Sequence, residues 1–244
     1  MDRLIYTALT GLQRAQEAQG VTANNLANLQ TPGFRREMAA LSGGWLVGQG
    51  AAGTARVQSG GEAPADVQSQ GRVEATARPL DIAIDGNAWL TVGDAAGNPA
   101  LTRRGDLRVD SGGRLLTGDG LPVMGEDGPV QLPSDFSSLR IANDGALEIL
   151  PVGEAVWAPV GRLLLQSAPA ASLERGEDGL FRSPQAQPDP GATIQTGALE
   201  RSNMDAASAL VELVEQSRRF EMQTKLLSAA REMDEGAAAL MRVQ

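Results

Sequence analysis

The side chains that could do chemistry in this chain are few and poorly spaced for it. There is no histidine and no cysteine. That removes the commonest general base near neutral pH, thiol nucleophiles, disulfides and the usual zinc sites. The best carboxylate pair is Asp81 and Asp85 in the run LDIAID, on one face of a predicted strand. At a strand rise of ~3.3 Å per residue they stand roughly 13 Å apart, beyond the ~5 to 9.5 Å that glycoside hydrolysis uses. Both read as structural or turn-capping aspartates. Gly48-x-Gly50-x-x-Gly53 follows Trp45-Leu46-Val47 and matches a dinucleotide fingerprint, yet the next residues, TARVQSGGEAPAD, are not helical in pattern. A pyrophosphate needs the N-terminus of a helix at that point, so the glycines read as linker. The only lysine, Lys225, lies deep in a helical stretch, so no Walker-type loop can be drawn. Asp119-Gly120, Asp127-Gly128 and Asp144-Gly145 lack the D-x-[DN]-x-[DN]-G spacing of a calcium loop and read as turns. The expectation is a protein without catalytic residues, cofactor or metal.

Charge and hydropathy narrow the partners. Thirty acidic against 21 basic residues give a net charge of -9, which opposes binding to phosphate backbones. Nucleic acid is not an expected partner. The N-terminus, MDRLIYTALTGLQRAQEAQG, lacks the apolar stretch of a secretory signal, and no window approaches the ~18 apolar residues of a membrane span. The chain is expected neither to span a membrane nor to follow a Sec pattern. Aromatic residues are 3 % of the chain, so its core must be built from Leu, Val, Ile and Ala.

The elements that position these residues are read from the uneven distribution of glycine and proline. Residues 12–31 hold one glycine, and residues 198–244 hold one glycine and no proline. Helical ends therefore flank a turn-rich middle. Met1, Ile5, Ala8, Leu12, Ala15, Gln19, Thr22, Leu26 and Leu29 recur at alternating steps of four and three, the spacing of one helical stripe that stops at Thr31-Pro32-Gly33. A second helix starts at a capping-box-like Ser202 and Asp205. It carries Leu210, Leu213, Phe220, Leu227, Ala230, Met233, Ala237 and Leu240, interrupted by Ser217 and Thr224. Residues 35 to about 78 are glycine-rich and polar and read as an extended arm. From Leu80 to about Thr196, the runs LDIAID, WLTV, LRVD, GLPVMG, SLRIA, ALEIL and GRLLLQ alternate with turn residues and predict short antiparallel strands.

One stretch is specific. Asn24-Asn25-Leu26-Ala27-Asn28-Leu29-Gln30-Thr31-Pro32-Gly33-Phe34 resembles the N-terminal signature of the flagellar basal-body rod and hook family, Asn-x-x-Asn-x-x-Thr-Pro-Gly-aromatic. Asn25, Asn28, Thr31, Pro32, Gly33 and Phe34 occupy the matching positions. Residues 80–92, 101–125 and 197–235 are similar to further blocks of that family, in its order. Trp89-Leu90 departs from the aromatic pair common there. The Thr31-Pro32-Gly33-Phe34-Arg35 run, the modest length and the lack of a longer insert after it resemble the proximal-rod branch, with the distal-rod branch as nearest competitor.

The resemblance implies an α+β chain in which N- and C-terminal α-helices pack as a coiled-coil-like helical domain, with an inserted antiparallel all-β domain and an extended connecting arm. The expected segments are 1–34 for the first helix, 35–78 for the arm, 79–199 for the β domain and 200–244 for the last helix. It further implies a non-enzymatic axial subunit around an export channel, in the periplasmic part of the basal body. Such a subunit would be exported by the flagellar type III apparatus without a cleaved signal. Its expected partners are copies of itself, other proximal- and distal-rod proteins and neighbouring basal-body components. The residues expected to pack between subunits are Ile5, Leu12, Asn25, Leu26, Asn28, Thr31, Pro32, Gly33, Phe34, Leu210, Leu213, Phe220 and Leu227. Two other classes compete: a secreted carbohydrate-active enzyme, which offers no better carboxylates than Asp81 and Asp85, and a soluble binding module, which gives the helical stripes no reason.

Overall fold

A computed structural model describes residues 2–37, 44–46, 56–58 and 69–241. The fold is α+β, with a mostly antiparallel β region and a long C-terminal helix. The chain divides into two compact units. Gln30–Arg35 and Gln68–Asn203 form the β unit, whereas Met1–Leu29, Arg36–Val67 and Met204–Gln244 form the helical unit.

Among the described residues, the largest sheet of the β unit has six strands. In spatial order they are Glu174–Arg175, Phe181–Arg182, Pro99–Thr102, Ala88–Gly93, Leu165–Ser167 and Gln187–Pro188. Strand Ala88–Gly93 is buried along its whole length, and its side chains alternate between two cores as strand geometry requires. Ala88, Leu90 and Val92 enter a cluster with Ile82, Ile84, Leu107, Leu115, Leu147, Leu163 and Ile194 that holds no aromatic ring. Trp89 turns the other way, onto Leu101 and Phe181, with its ring centroid 4.8 Å from that of Phe181. The departure from the family's aromatic pair at Trp89-Leu90 therefore puts an aliphatic side chain into the main core and leaves the ring to the smaller one.

Short ladders close the rest. Ile82–Ile84 pairs with Ile194–Thr196, and Val73–Ala75 pairs with Ala198–Glu200, so Glu200 lies opposite Val73. Phe136–Ile141, Ala146–Pro151 and Ala158–Arg162 make a separate three-stranded sheet. Turns fall at the Asp-Gly pairs named above, where Gly120, Gly128 and Gly145 take φ of +93°, +123° and +83°, a region closed to most other residues.

In the helical unit, α1 spans Asp2–Ala27 and α2 spans Ala206–Met241. Helix α1 stops before the Thr31-Pro32-Gly33 terminus read from the sequence. The Asn28 amide side chain folds back onto the Asn24 carbonyl (3.0 Å), and the last turn tightens as the Leu29 N–H bonds Leu26 O. Asp205, not Ser202, caps α2: its carboxylate accepts both the Ser208 N–H (2.9 Å) and the Ser208 hydroxyl (2.7 Å). Two short strands, Gly44–Leu46 and Arg56–Gln58, pair antiparallel within the stretch read as an extended arm. Gly48, Gly50 and Gly53 lie outside the described residues, and the segment that follows them is a strand, not a helix.

The apolar stripe read on α2 divides in two. Ala209, Leu213, Gln216, Phe220, Gln223 and Leu227, spaced four and three apart, are buried or half-buried. Leu210, Val211, Val214, Met222, Leu226 and Met233 are 51–64 % exposed, and at ~3.6 residues per turn most of these lie across the helix from the first set. The inner row is pinned to α1 by a buried hydrogen bond from Gln216 Nε2 to Thr22 Oγ1 (2.8 Å), while Gln223 lies against Gly11. Among the described residues, no helix is long and apolar enough to cross a membrane.

Candidate functional site

The signature stretch splits between the two units. In the helical unit, Asn25 is buried, and its amide pairs with the backbone of Glu37 as a strand would. Asn25 Nδ2 donates to Glu37 O (2.6 Å), and the Glu37 N–H donates to Asn25 Oδ1 (2.9 Å). The chain that leaves α1 is thereby brought back to it. Arg36 Nη2 meets Glu212 Oε2 of α2 at 3.0 Å, half-exposed.

In the β unit, Thr31-Pro32-Gly33-Phe34-Arg35 forms a turn that inserts among strands, with the Phe34 N–H on Thr31 O. Gly33 has φ +67°, its N–H donates to Glu200 O (2.7 Å), and a Cβ there would sit 2.2 Å from Arg103 O. Only glycine satisfies both the backbone angle and the approach. Phe34 is buried beneath the Arg175 guanidinium, 4.6 Å from its ring centroid. Its carbonyl accepts the Asn203 N–H (3.3 Å).

Arg35 ends the insertion in a charged cluster from which water is excluded. Arg35 Nη2 lies 2.9 Å from Glu200 Oε1, and Nη1 donates to Ser69 O. Arg103 donates from Nε (3.0 Å) and Nη2 (2.7 Å) to Glu200 Oε2. Its remaining donors meet the carbonyls of Ile84 (2.7 Å), Gly86 (2.9 Å) and Ala88. The Gly71 N–H completes Glu200 Oε1 at 2.9 Å. The three side chains are at most 2 % exposed. Two cations thus share one anion, with strand carbonyl dipoles offsetting the surplus positive charge. Burial pulls the Arg35 guanidinium from its ordinary value down to about 10; Glu200 opposes that shift and Arg103 adds to it. With both oxygens of Glu200 held by guanidinium and amide donors, the cluster offers no general base or nucleophile. Its chemistry is that of a clasp. It ties residues 30–35, 69–72 and 200–203, the three places where the chain passes between units.

The sequence reading singled out Arg35 within the motif but missed Arg103 and Glu200, which lie in the runs LTRRGDL and GALER. Of the residues expected to pack between subunits, Asn25, Gly33 and Phe34 are buried within the chain. Leu12, Leu26, Asn28, Thr31, Pro32, Leu213, Phe220 and Leu227 are half-buried, and Leu210 is exposed. The Ile5 side chain lies outside those described. Asp81 is buried, 3.6 Å from Arg78 Nε. Asp85 accepts from Thr193 Oγ1 (3.1 Å) and Gln195 Nε2 (3.0 Å). Neither lines the cavity of about 570 Å³ between Asp94, Leu101, Glu174 and Arg182.

Comparison with known proteins places three stretches of the chain in one group. Residues 5–35 match the family described as flagella basal body rod protein. Residues 83–149 match the flagellar hook protein FlgE/F/G D1 domain, and residues 195–240 match the flagellar basal body rod FlgEFG protein C-terminal family. Arg35, Arg103 and Glu200 fall one in each. The chain is 38 % identical over 240 residues to flagellar basal-body rod protein FlgF of Escherichia coli (strain K12), covering 94 % of both chains. It is 38 % identical over 249 residues to FlgF of Salmonella typhimurium, covering 98 % of this chain and 97 % of that one. To FlgG of Bacillus subtilis it is 28 % identical over 257 residues, covering 96 % and 97 %.

Proposed function

The chain belongs to the flagellar basal-body rod family and is a structural subunit of the rod, and from that premise we propose that its place is the proximal rod. What carries this reading is the end-to-end likeness to FlgF, closer than the likeness to FlgG, which supports the competing distal placement. On this reading α1 and α2 form a coiled-coil-like helical domain that packs with copies of itself and with neighbouring rod proteins around an export channel and carries torque. On the same reading, segment 1–34 carries the first helix, 35–78 the arm, 79–199 most of the strands and 200–244 the second helix. The subunit reaches the periplasmic part of the basal body through the flagellar type III apparatus. It catalyses nothing: Asp81 and Asp85 are held by neighbouring side chains and do not converge.

The apolar outer row of α2 supports the assembly role, because a helix that ended its life as a monomer would leave those side chains in water without recompense. Leu210→Asp with Met222→Asp puts two charges on that row without touching the row that faces α1. A flagellated strain whose own copy is replaced by this double variant is expected to stop swimming, while the purified protein keeps its far-UV circular dichroism. Wild-type swimming would contradict the reading.

A further inference from the structure

We propose that Glu200 is a latch between the two ends of the chain: residues 30–35 dock on the β unit only after the last strand, Ala198–Glu200, has taken its place. The inference does not depend on the rod assignment.

Three observations carry it. Arg103 needs no help to stand ready, because the carbonyls of Ile84, Gly86 and Ala88 already hold its guanidinium inside the β unit. Arg35 is different. Docked without Glu200, it would bring a second buried cation toward Arg103 with no carboxylate between them, and both burial and Arg103 already disfavour its charged form. An uncompensated buried charge of this kind is among the most destabilising arrangements a fold can contain. The third observation concerns backbone. The Gly33 N–H ends on Glu200 O, Phe34 O receives the Asn203 N–H, the Gly71 N–H ends on Glu200 Oε1, and the Arg201 N–H ends on Arg72 O. These four bonds run to residues 200–203, while Arg175 Nη1 on Arg35 O (3.1 Å) and Gln70 Nε2 on Ile84 O (3.1 Å) hold the same segments from the rest of the β unit, so docking before 200–203 would leave the Gly33 and Gly71 donors and the Phe34 and Arg72 acceptors unmet.

The consequence is an order of events. The strand Ala198–Glu200 pairs with Val73–Ala75 and delivers the carboxylate to Arg103. Arg35 then closes on the remaining oxygen and draws Thr31–Phe34 into place. Until that moment, the exit from α1 is not fixed to the β unit. The junction therefore reports that nearly the whole chain is present and paired.

Refolding of the full-length protein with pulsed hydrogen exchange tests the order. The Gly33 and Gly71 amides are expected to gain protection with or after the Arg201 amide. Protection of Gly33 before Arg201 would overturn the proposal. In the native state, Glu200→Gln is expected to accelerate exchange at Gly33 and Gly71 at least tenfold more than at Leu115 in the core. Equal acceleration at all three would reduce Glu200 to a general stabiliser and overturn the latch. Should that variant not fold, Arg35→Leu decides, since it keeps the Glu200–Arg103 pair intact. It is expected to release Gly33 at least tenfold and leave Arg201 protected, and wild-type protection of Gly33 in it would contradict the proposal.

Discussion

Both units of this protein bury polar side chains, but they do so on different terms. In the β unit, Arg103, Arg35 and Glu200 sit in an interior whose neighbours, Ile84 and Leu90, are wholly buried, and every oxygen of the carboxylate has a donor. In the helical unit, Gln216 is buried and its Nε2 donates to Thr22 Oγ1 and to Glu212 Oε1 (3.3 Å), yet its Oε1 and that of Gln223 accept no hydrogen bond. The first arrangement meets both oxygens of its carboxylate and leaves only Arg35 Nε among its charged groups without a hydrogen bond, so removing one member strands the others. The second is a loosely satisfied seam on a helix whose far side is apolar and open to water. The carboxylate of the β unit finds all its donors within one chain, whereas a helix with polar atoms inside and apolar atoms outside is built to be finished by something else.

The sharpest way to break that comparison is Arg103→Met. The substitution keeps a long apolar stem but takes a charged donor from the carbonyls of Ile84, Gly86 and Ala88 and leaves Glu200 with Arg35 and the Gly71 N–H. Removing one partner of a buried ionic group costs about 3–5 kcal/mol. Urea unfolding, followed by Trp89 and Trp157 fluorescence in a Trp45→Phe background, should show a loss of that size. A loss below about 1 kcal/mol would mean that the network is ornamental and that the two units do not differ in the way argued.

The corresponding change in the helices is expected to do far less. Gln216→Leu deprives Thr22 Oγ1 of a donor, but it also removes an acceptor that has none and adds apolar volume to the row of Leu213 and Phe220. Replacing a half-satisfied polar group by an apolar one of similar size is close to neutral. The helical transition in far-UV circular dichroism should therefore move by no more than about 1 kcal/mol, in either direction. A cost above about 2 kcal/mol would show that the seam is as demanding as the clasp.

Much of the fold was legible because its signals are local. The alternation of apolar runs such as LDIAID and WLTV with turn residues, Asp-Gly pairs among them, reports on neighbours within a few residues, and the glycines take the positive φ that such turns require. The need for glycine at Gly33 was legible as a motif but not as a cause, because the atom that excludes a side chain is Arg103 O, far along the chain. The clasp was illegible for the same reason. Glu200 and Arg103 are 97 residues apart, and nothing in GALER or LTRRGDL distinguishes a buried charge from a solvated one. The two faces of α2 were merged into one stripe because apolar spacing alone does not say which row a helix hides.

The smallest expected effect is at the start of α2, where the Asp205 carboxylate caps the helix. The Ser208 hydroxyl and then the Ser208 N–H hold the Asp205 carboxyl below the usual carboxylate range. A carboxylate depressed in the folded state contributes stability that is fully present above its unfolded value of about 3.9 and is lost as pH falls through the folded value. Acidification from pH 6 to below pH 3 should therefore lower the protection of the Ser208 amide, its exchange rate taken against the intrinsic rate at each pH. Asp205→Asn separates the charge from the cap, since asparagine caps a helix as well as aspartate does but does not titrate. That variant should keep the first turn of α2 closed and flatten its pH dependence, whereas Asp205→Ala should open the turn at every pH. If Asp205→Asn retained the full acid response at Ser208, the titrating group would lie elsewhere in the helical unit and the cap would act through its hydrogen bonds alone.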